Sequence, residues 1–422
     1  YMKLSRFLPA GFYYKMFIHP RPLWKHVYEP FIRQSAGLGQ APTSKDASIY
    51  EHFYAFYDMV IIGGGVAGLQ AALVAGSSGQ RVLLMEQSAH WGGRARIDDE
   101  VVGGLAVKTF LENTLAALHE LPNVTLRKRM MGAGIYDHGY LLGYERLSDH
   151  APEMVGPRHR LWRIRAGHII TATGAIERPL SFAENDKPGV ILASALRDYL
   201  IGYGVSLGDR TVVVTNNDDA YLTAIAVKNA GLDILAIIDA RQGGAGELGI
   251  KARALGIRVE TGKGIAKVTG SKRVTGVQIC AQVGEGTVLE DIACDCVAMS
   301  GGWSPVVHLW SHCGGKLFWD TEKVMFRPDM DSAPTGQDGT AFVSVVGAAN
   351  GHLTQYEALK DSTNQTAAVS GVTNPPEPPS TVSREDAMIE AVWIMPEGAN
   401  VKLRSKAWLD FQNDVKVSDV QL

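Results

Sequence analysis

Five of the seven residues from Tyr57 to Gly63 are apolar, and the run passes directly into consecutive glycines. A parallel strand covered on both faces and entering a βα turn has this texture. From Val66, VAGLQAALVAGSSG carries helical spacing and meets a stop at Gly79. RVLLME, ending at Glu86, is then a second strand. Further on, RTVVVTNNDDAYLTAIAVKNAGLDILAIIDAR (210–241) repeats strand, helix and strand, and an α/β stretch follows to about residue 300. Strand-like HIITATGA (168–175) and FVSVVGAANG (342–351) flank this unit. The pattern predicts two Rossmann-like α/β halves, the second (181–299) inserted into the first (58–180 and 300–361).

Outside these halves the periodicity weakens. Residues 1–57 are aromatic and basic, with Phe7, Phe12, Tyr13, Tyr14, Phe17, Trp24, Tyr28 and Phe31, and Pro9, Pro20, Pro22 and Pro30 prevent one long helix. Such a segment is expected to wrap the following domain or to meet another subunit, since aromatics are enriched in both places. STNQTAAVSGVTNPPEPPSTVS (362–383) is rich in Ser, Thr and Pro and reads as a linker. Residues 384–422 form a C-terminal segment too short for a domain.

Composition changes this picture little. The chain has 422 residues, 46% of them hydrophobic, so a large core is available. Its 41 basic and 44 acidic residues imply no general attraction to nucleic acid or anionic lipid. No run of about 20 apolar residues suggests a membrane span, and a chain that starts at Tyr1 rather than Met is expected to be a piece of something longer. Four cysteines, at 280, 294, 296 and 313, are too few for a disulfide scaffold and point to a reducing, cytoplasmic setting. Alternation would put Cys294 and Cys296 on one face of a strand, but no C-x-x-C pair or His cluster completes a metal site, so packing is expected.

The chemistry concentrates in the glycines. Gly63, Gly65 and Gly68 form G-x-G-x-x-G between a strand and a helix that opens at Val66. The first permits the tight turn, the second lets a pyrophosphate approach the backbone, and the third lets helix and strand pack closely. The helix N-terminus supplies N–H donors to the phosphates. Glu86 is placed to accept hydrogen bonds from the adenosine ribose and to disfavour a 2′-phosphate. The pair Gly92 and Gly93 follows, and Thr173 and Gly174 belong to a later TATG. Both marks are typical of the glutathione-reductase/FAD-NAD(P) type of flavoprotein and suggest FAD.

Two features depart from that type. Its first domain usually ends in Gly-Asp, where the carboxylate holds the flavin ribityl chain, whereas this chain reads GAANGHLT from Gly347, with Asn350 the available substitute. The second half has TNNDDAY in place of a glycine turn. Asp218 and Asp219 are expected to face a pyrophosphate with like charge, so that half should bind no second dinucleotide. His138, His308, His312 and His352 form no catalytic pattern, and no G-x-S-x-G or H-E-x-x-H motif is present.

FLPAGFYYKMF (7–17), YEPFIRQSAGLG (28–39), IIGGGVAGLQAAL, YDHGYLLGYER (136–146), TATGAIERPL, SGGWSPVVHLWS (300–311), VGAANGHLT and KAWLDFQNDV (406–415) together resemble the large alpha subunit of heterotetrameric sarcosine oxidase. The resemblance implies that this chain holds NAD, not as a turnover hydride carrier, and performs no catalysis of its own. FAD would belong to a beta-type flavin-binding partner subunit, with FMN at the interface between the two. NAD contacts carry over to Ala67, Glu86, Gln87, Ser88, Arg94, Gly132, Ala348, Leu353 and Gln355, although Gln87, Ser88 and Arg94 are not the family's usual residue types. The same scaffold resembles the large subunits of N-methylglutamate dehydrogenase and, more distantly, of opine oxidases, hydroxyproline dehydrogenases and hydrogen cyanide synthase. Further smaller subunits, a small amino-acid-derived amine substrate and an aminomethyltransferase domain beyond KAWLDFQNDV are implied. A self-sufficient FAD-dependent oxidoreductase is the alternative.

Overall fold

The computed structural model describes residues 17–37, 39, 42–98, 101–151, 153–379, 389–393 and 398–420. The first strand, β1 (Ile49–Ile62), lies at the centre of a sheet with β2 (Val82–Glu86), β3 (Val124–Lys128), β4 (Met130–Tyr136), β5 (Tyr140–Arg146) and β6 (Pro157–Thr171), in the order β3-β2-β1-β6-β5-β4. Strands β1, β2, β3 and β6 are parallel, whereas β4 and β5 return as an antiparallel meander. Helices α1 (Val66–Ser77) and α2 (Ala95–Asp98) follow β1 and β2 in turn, and α3 (Val107–His119) leads to β3. Alternation along β2 sends Val82 and Leu84 into the core under α1 and α3, while Leu83 and Met85 pack on the meander side. This two-sided burial makes the run apolar throughout.

The chain then leaves through β7 (Ala175–Glu177) and builds a parallel sheet from β8 (Val190–Leu192), β9 (Arg210–Thr215), β10 (Asp233–Asp239) and β11 (Val259–Thr261). Helix α4 (Ala193–Tyr203) follows β8, and α5 (Asp219–Asn229) follows β9. An antiparallel sheet, β12 (Lys263–Thr269), β13 (Gly276–Ala281) and β14 (Val288–Ile292), precedes β15 (Cys296–Ser300), which enters the parallel sheet between β9 and β8. The return runs through β16 (Trp303–Pro305), paired with β7, and the hairpin β17 (Leu317–Asp320) and β18 (Met325–Pro328). Strand β19 (Val343–Val345) then lies parallel to β6, with Val343 opposite Ile169. Both strand-like stretches that flank the second unit in sequence therefore meet in the first sheet.

Two boundaries differ from the sequence reading. The segment 1–57 gives its last nine residues to β1, which begins at Ile49 because residues 49–57 pair with the equally extended first half of β6. None of the described side chains from 17 to 48 is buried, so this part does not wrap a core, while Phe7, Phe12, Tyr13 and Tyr14 lie outside the described residues. The linker placed at 362–383 starts too early. Helix α6 (Gln355–Ser370) runs through it to a left-handed Gly371, and buries Ser362, Thr363 and Thr366. Small hydroxyl residues there satisfy themselves inside the helix, as Thr363 and Ser370 do by donating to carbonyls four residues back, and so read falsely as coil.

In the C-terminal segment, Ala399, Ala407 and Val417 enter the core of the inserted half. No described helix is long and apolar enough to cross a membrane.

Candidate functional site: a glycine turn at the carboxyl edge of the first sheet

The glycine turn joins β1 to α1, and each glycine in it answers a different steric demand. Gly63 has φ +112°, and a Cβ there would lie 2.3 Å from the Ala172 carbonyl oxygen. At Gly68 a Cβ would lie 1.8 Å from the Gly63 oxygen. Gly65 is different, since nothing lies within 4 Å of its missing Cβ. The first and third glycines are thus required by the fold, whereas the second leaves an open approach to the backbone. No side chain caps the first turn of α1, which starts at Val66 and Ala67, so its N–H donors remain available to an anion.

Glu86 closes one side of the turn. Its carboxylate is buried and accepts the Gly64 N–H at 2.7 Å through Oε2 and the Ser88 N–H at 2.7 Å through Oε1. Each carboxylate oxygen has about two lone-pair sites, so half of its accepting capacity remains. Gly92 donates to the Gly64 carbonyl at 2.8 Å, and a Cβ on Gly93 would lie 3.1 Å from the Gly65 Cα. The double glycine therefore seats its loop directly on the turn. Trp91 covers Gly64, where a Cβ would meet the indole at 2.4 Å.

Among the other predicted positions, Gln87 and Ser88 face outward and lend their carbonyls to Arg146 and to the Arg129 N–H. Gly132 sits in β4, where a Cβ would lie 2.9 Å from the Ile62 side chain. Thr173 donates to the Val306 carbonyl at 2.7 Å, and Gly174 has φ +76° at the exit towards β7.

The GAAN turn closes another side. A Cβ on Gly347 would lie 2.6 Å from the Ala67 Cβ, so this turn packs on the start of α1. Ala348, Leu353 and Gln355 are half-buried around it. Gln355 opens α6, and its Oε1 is buried without a hydrogen-bond partner. Sequence reasoning missed Asp361. This carboxylate accepts from the Gly347 N–H at 2.8 Å and from the Asn350 amide at 3.2 Å, with His352 at 3.5 Å. Burial raises the Asp361 carboxyl above its ordinary range, against the opposing pull of His352 and the Gly347 N–H. Asn350 is thereby committed to Asp361 rather than free to replace the missing aspartate. In the sequence Asp361 is an isolated acid immediately before a stretch that reads as linker, and nothing local marks it. The open approach at Gly65 and the orphaned Gln355 oxygen both fit an adenine dinucleotide lying across the turn.

Arg94 has a different setting from the one expected of a nucleotide contact. Its guanidinium pairs with Asp98 at 3.1 Å and Asp198 at 3.1 Å and lies over the Trp303 ring. Asp98 in turn meets Arg197 at 3.0 Å, and Arg197 meets Asp219 at 3.0 Å. The loop after the double glycine is therefore tied to the inserted half by an ion network. Beside it lies Glu177, which accepts the Ser194 N–H at 2.8 Å. Burial, reinforced by Asp219, pushes the Glu177 carboxyl up to about 7 from an ordinary 4.5. A raised carboxyl contributes stability that is complete below its unfolded value and is lost as pH rises through its folded value. Glu177→Gln protein should thus gain stability relative to wild type between pH 5 and 8.5, by up to about 3 kcal/mol. Urea midpoints at the two pH values check this, and an equal difference at both would refute it.

The second half lacks an open turn, for a reason the sequence did not reveal. Asp218 pairs with Arg241 at 2.7 Å and Asp219 with Arg197, so neither carboxylate faces outward as an unpaired charge. Instead, residues 389–393 lie across the carboxyl ends of β9 and β15, where such sheets ordinarily bind ligands. The Asn216 amide donates to the Glu390 and Val392 carbonyls at 3.0 Å, and Ile389 bridges to Asn217. Trp393 Nε1 donates to the Gly301 carbonyl at 2.7 Å.

Cys280, Cys294 and Cys296 are buried thiols, and Cys313 is half-buried. Cys294 precedes β15 and joins one core, while Cys296 joins the core on the opposite face, so the expected shared face does not exist. Burial pushes their thiols up to about 12 and about 11.

Residues 57–322 match the family described as pyridine nucleotide-disulphide oxidoreductase. The chain is 38% identical over 426 residues to the sarcosine oxidase alpha subunit of Rhizobium meliloti (strain 1021), covering 99% of this chain and 41% of the relative. It is 34% identical to the protein of the same name from Corynebacterium sp. (strain P-1), over 91% of this chain and 40% of the relative. The chain thus spans about two fifths of these relatives. An opine oxidase subunit from Agrobacterium tumefaciens (strain Ach5) is 25% identical, over 76% of this chain and 68% of that one. Among solved structures, L-proline dehydrogenase from P. horikoshii superposes with a TM-score of 0.56 at 19% identity, covering 82% of this chain and 64% of that one. Thioredoxin reductase from T. acidophilum superposes with 0.54 at 17% identity, over 75% and 97%. These two likenesses concern the fold.

Proposed function

Because the chain belongs to the pyridine nucleotide-disulphide oxidoreductase family, we infer that its glycine turn holds an adenine dinucleotide, and that the guest is a tightly kept NAD. The observation that carries this reading is the open approach at Gly65 beneath an uncapped helix and beside the Glu86 carboxylate. Val66, Ala67 and Gly68 would offer N–H groups to the pyrophosphate, and the free lone pairs of Glu86 would accept from the ribose hydroxyls. Gly92, Gly93 and Trp91 would exclude water above the turn. The absence of a Gly-Asp carboxylate at Gly347–Asn350 favours NAD over FAD here, since Asn350 is bound to Asp361.

The wider assignment rests on the relatives named as sarcosine oxidase alpha chains. In it the chain is the NAD-holding alpha-type subunit of a multi-subunit, flavin-dependent amine oxidoreductase. A beta-type partner would bring FAD, with FMN shared at the interface, and oxidise sarcosine to glycine, with formaldehyde or methylene-tetrahydrofolate and hydrogen peroxide as products. A bound flavin would supply the acceptor for hydride from the amine, and the residues of this chain serve only to hold nucleotide and position the partner. An N-methylglutamate, hydroxyproline or opine substrate is the alternative within the same scheme.

Acid extraction of the purified chain tests the guest. Colourless protein that releases NAD supports the reading, whereas a flavin absorption band with FAD in the extract overturns it. Glu86→Gln and Glu86→Ala proteins should retain at least tenfold less nucleotide after dialysis, because a charge-assisted bond to the ribose is lost. Undiminished occupancy in both would remove Glu86 from the site.

A further inference from the structure

A cleft of about 480 Å³ opens beside the dinucleotide turn, between the loop after β2 and α3. Its size is within the range of small-molecule sites, roughly 300–1,000 Å³. Leu111 and Leu115 of α3, with Val107 and the Trp91 indole, form an apolar wall. Lys108 and Glu112 stand on the same helical face, one turn apart, and Arg96, His90 and Lys128 complete the rim.

Among the described residues the charge at this rim is unbalanced. Lys128 is the register partner of Glu86, so the two side chains share a face of the sheet at cross-strand distance. They form no ion pair, because both Glu86 oxygens are turned to the Gly64 and Ser88 N–H groups. Elsewhere in this region arginines are committed: Arg94 and Arg197 are each paired with two carboxylates. Among the described residues Lys108, Lys128 and Arg96 have no ion-pair partner, and Glu112 is the one described carboxylate lining the cleft. Three exposed positive charges thus rim an apolar wall.

We propose that this cleft is a binding site, separate from the dinucleotide turn, for a small organic anion with a planar apolar body. The ring lies against Trp91, Leu111 and Leu115, and the carboxylate or phosphate is held by charge-assisted bonds from Lys108 and Lys128. The indole of Trp91 is the wall common to both sites, since it also covers Gly64 of the turn.

Calorimetric titration of the full chain, with its nucleotide retained, uses three probes: indole-3-acetate, which has ring and anion, indole, which has the ring alone, and acetate, which has the anion alone. Indole-3-acetate should bind once per chain, and each half-probe at least tenfold more weakly. Lys108→Ala and Lys128→Ala should each weaken it about tenfold, with Lys128→Arg recovering most of the loss. Equal binding by the lysine variants, or no preference over the half-probes, would overturn the site. Both lysines are exposed, so far-ultraviolet circular dichroism suffices to show that the variants fold.

Discussion

Gly68→Ala protein is expected to be destabilised by at least about 3 kcal/mol and to be purified without nucleotide, while Gly65→Ala protein folds normally and also loses its nucleotide. The two substitutions add the same methyl group three residues apart. At Gly68 the methyl would sit 1.8 Å from the Gly63 carbonyl oxygen and 2.9 Å from its carbon. Backbone atoms cannot rotate aside as a side-chain tip does, so α1 must move off β1 and open the core that Leu69, Ala72 and Ala75 share with Leu84. At Gly65 the methyl projects into open space and clashes only with a bound pyrophosphate. Urea denaturation separates the stabilities and acid extraction measures the nucleotide. Parallel behaviour of the two variants in both assays would mean that the second glycine serves the fold rather than a ligand.

Arg197→Met should cost about 3–5 kcal/mol, although methionine is close in volume and equally able to fill the space. Arg197 is 1% exposed, and its Nη2 serves Asp98 and Asp219 together while Nη1 donates to the Asp219 carbonyl at 3.1 Å. Removing the cation leaves two carboxylates facing each other in a site where burial already raises Asp98 above its ordinary range. The loss should therefore be largest at neutral pH and shrink towards pH 4, where the carboxyls take up protons. The double variant with Asp98→Asn should recover part of it. A cost below about 1 kcal/mol, or one that does not vary with pH, would show the network to be solvated and the link between the two halves to rest elsewhere.

How much was legible without coordinates depended on how local the cause was. The steric roles of Gly63 and Gly68 concern atoms within a few residues or on the neighbouring strand, and the strand and helix at 59–77 are stated by their own apolar texture. The NAD contact that the resemblance places at Arg94 comes with no local sign that Asp198, more than a hundred residues away, pairs with its guanidinium. Asp361 escaped notice because Ser, Thr and Asn around it resemble a linker, and only packing of α6 on α1 shows that their hydroxyls are buried donors, as when Ser362 donates to the Ala67 carbonyl at 2.6 Å.

The sequence by itself determined the α/β class, the glycine turn and the acid that closes it, because each follows from short-range sterics or from apolar periodicity. Tertiary structure alone decided that Asp218 and Asp219 are neutralised by Arg241 and Arg197, that residues 389–393 cover the second crevice, and that Lys128 stands beside Glu86 without pairing to it. Charge and access at a site are properties of whichever chains fold back to it, and that return is written in no single stretch of residues.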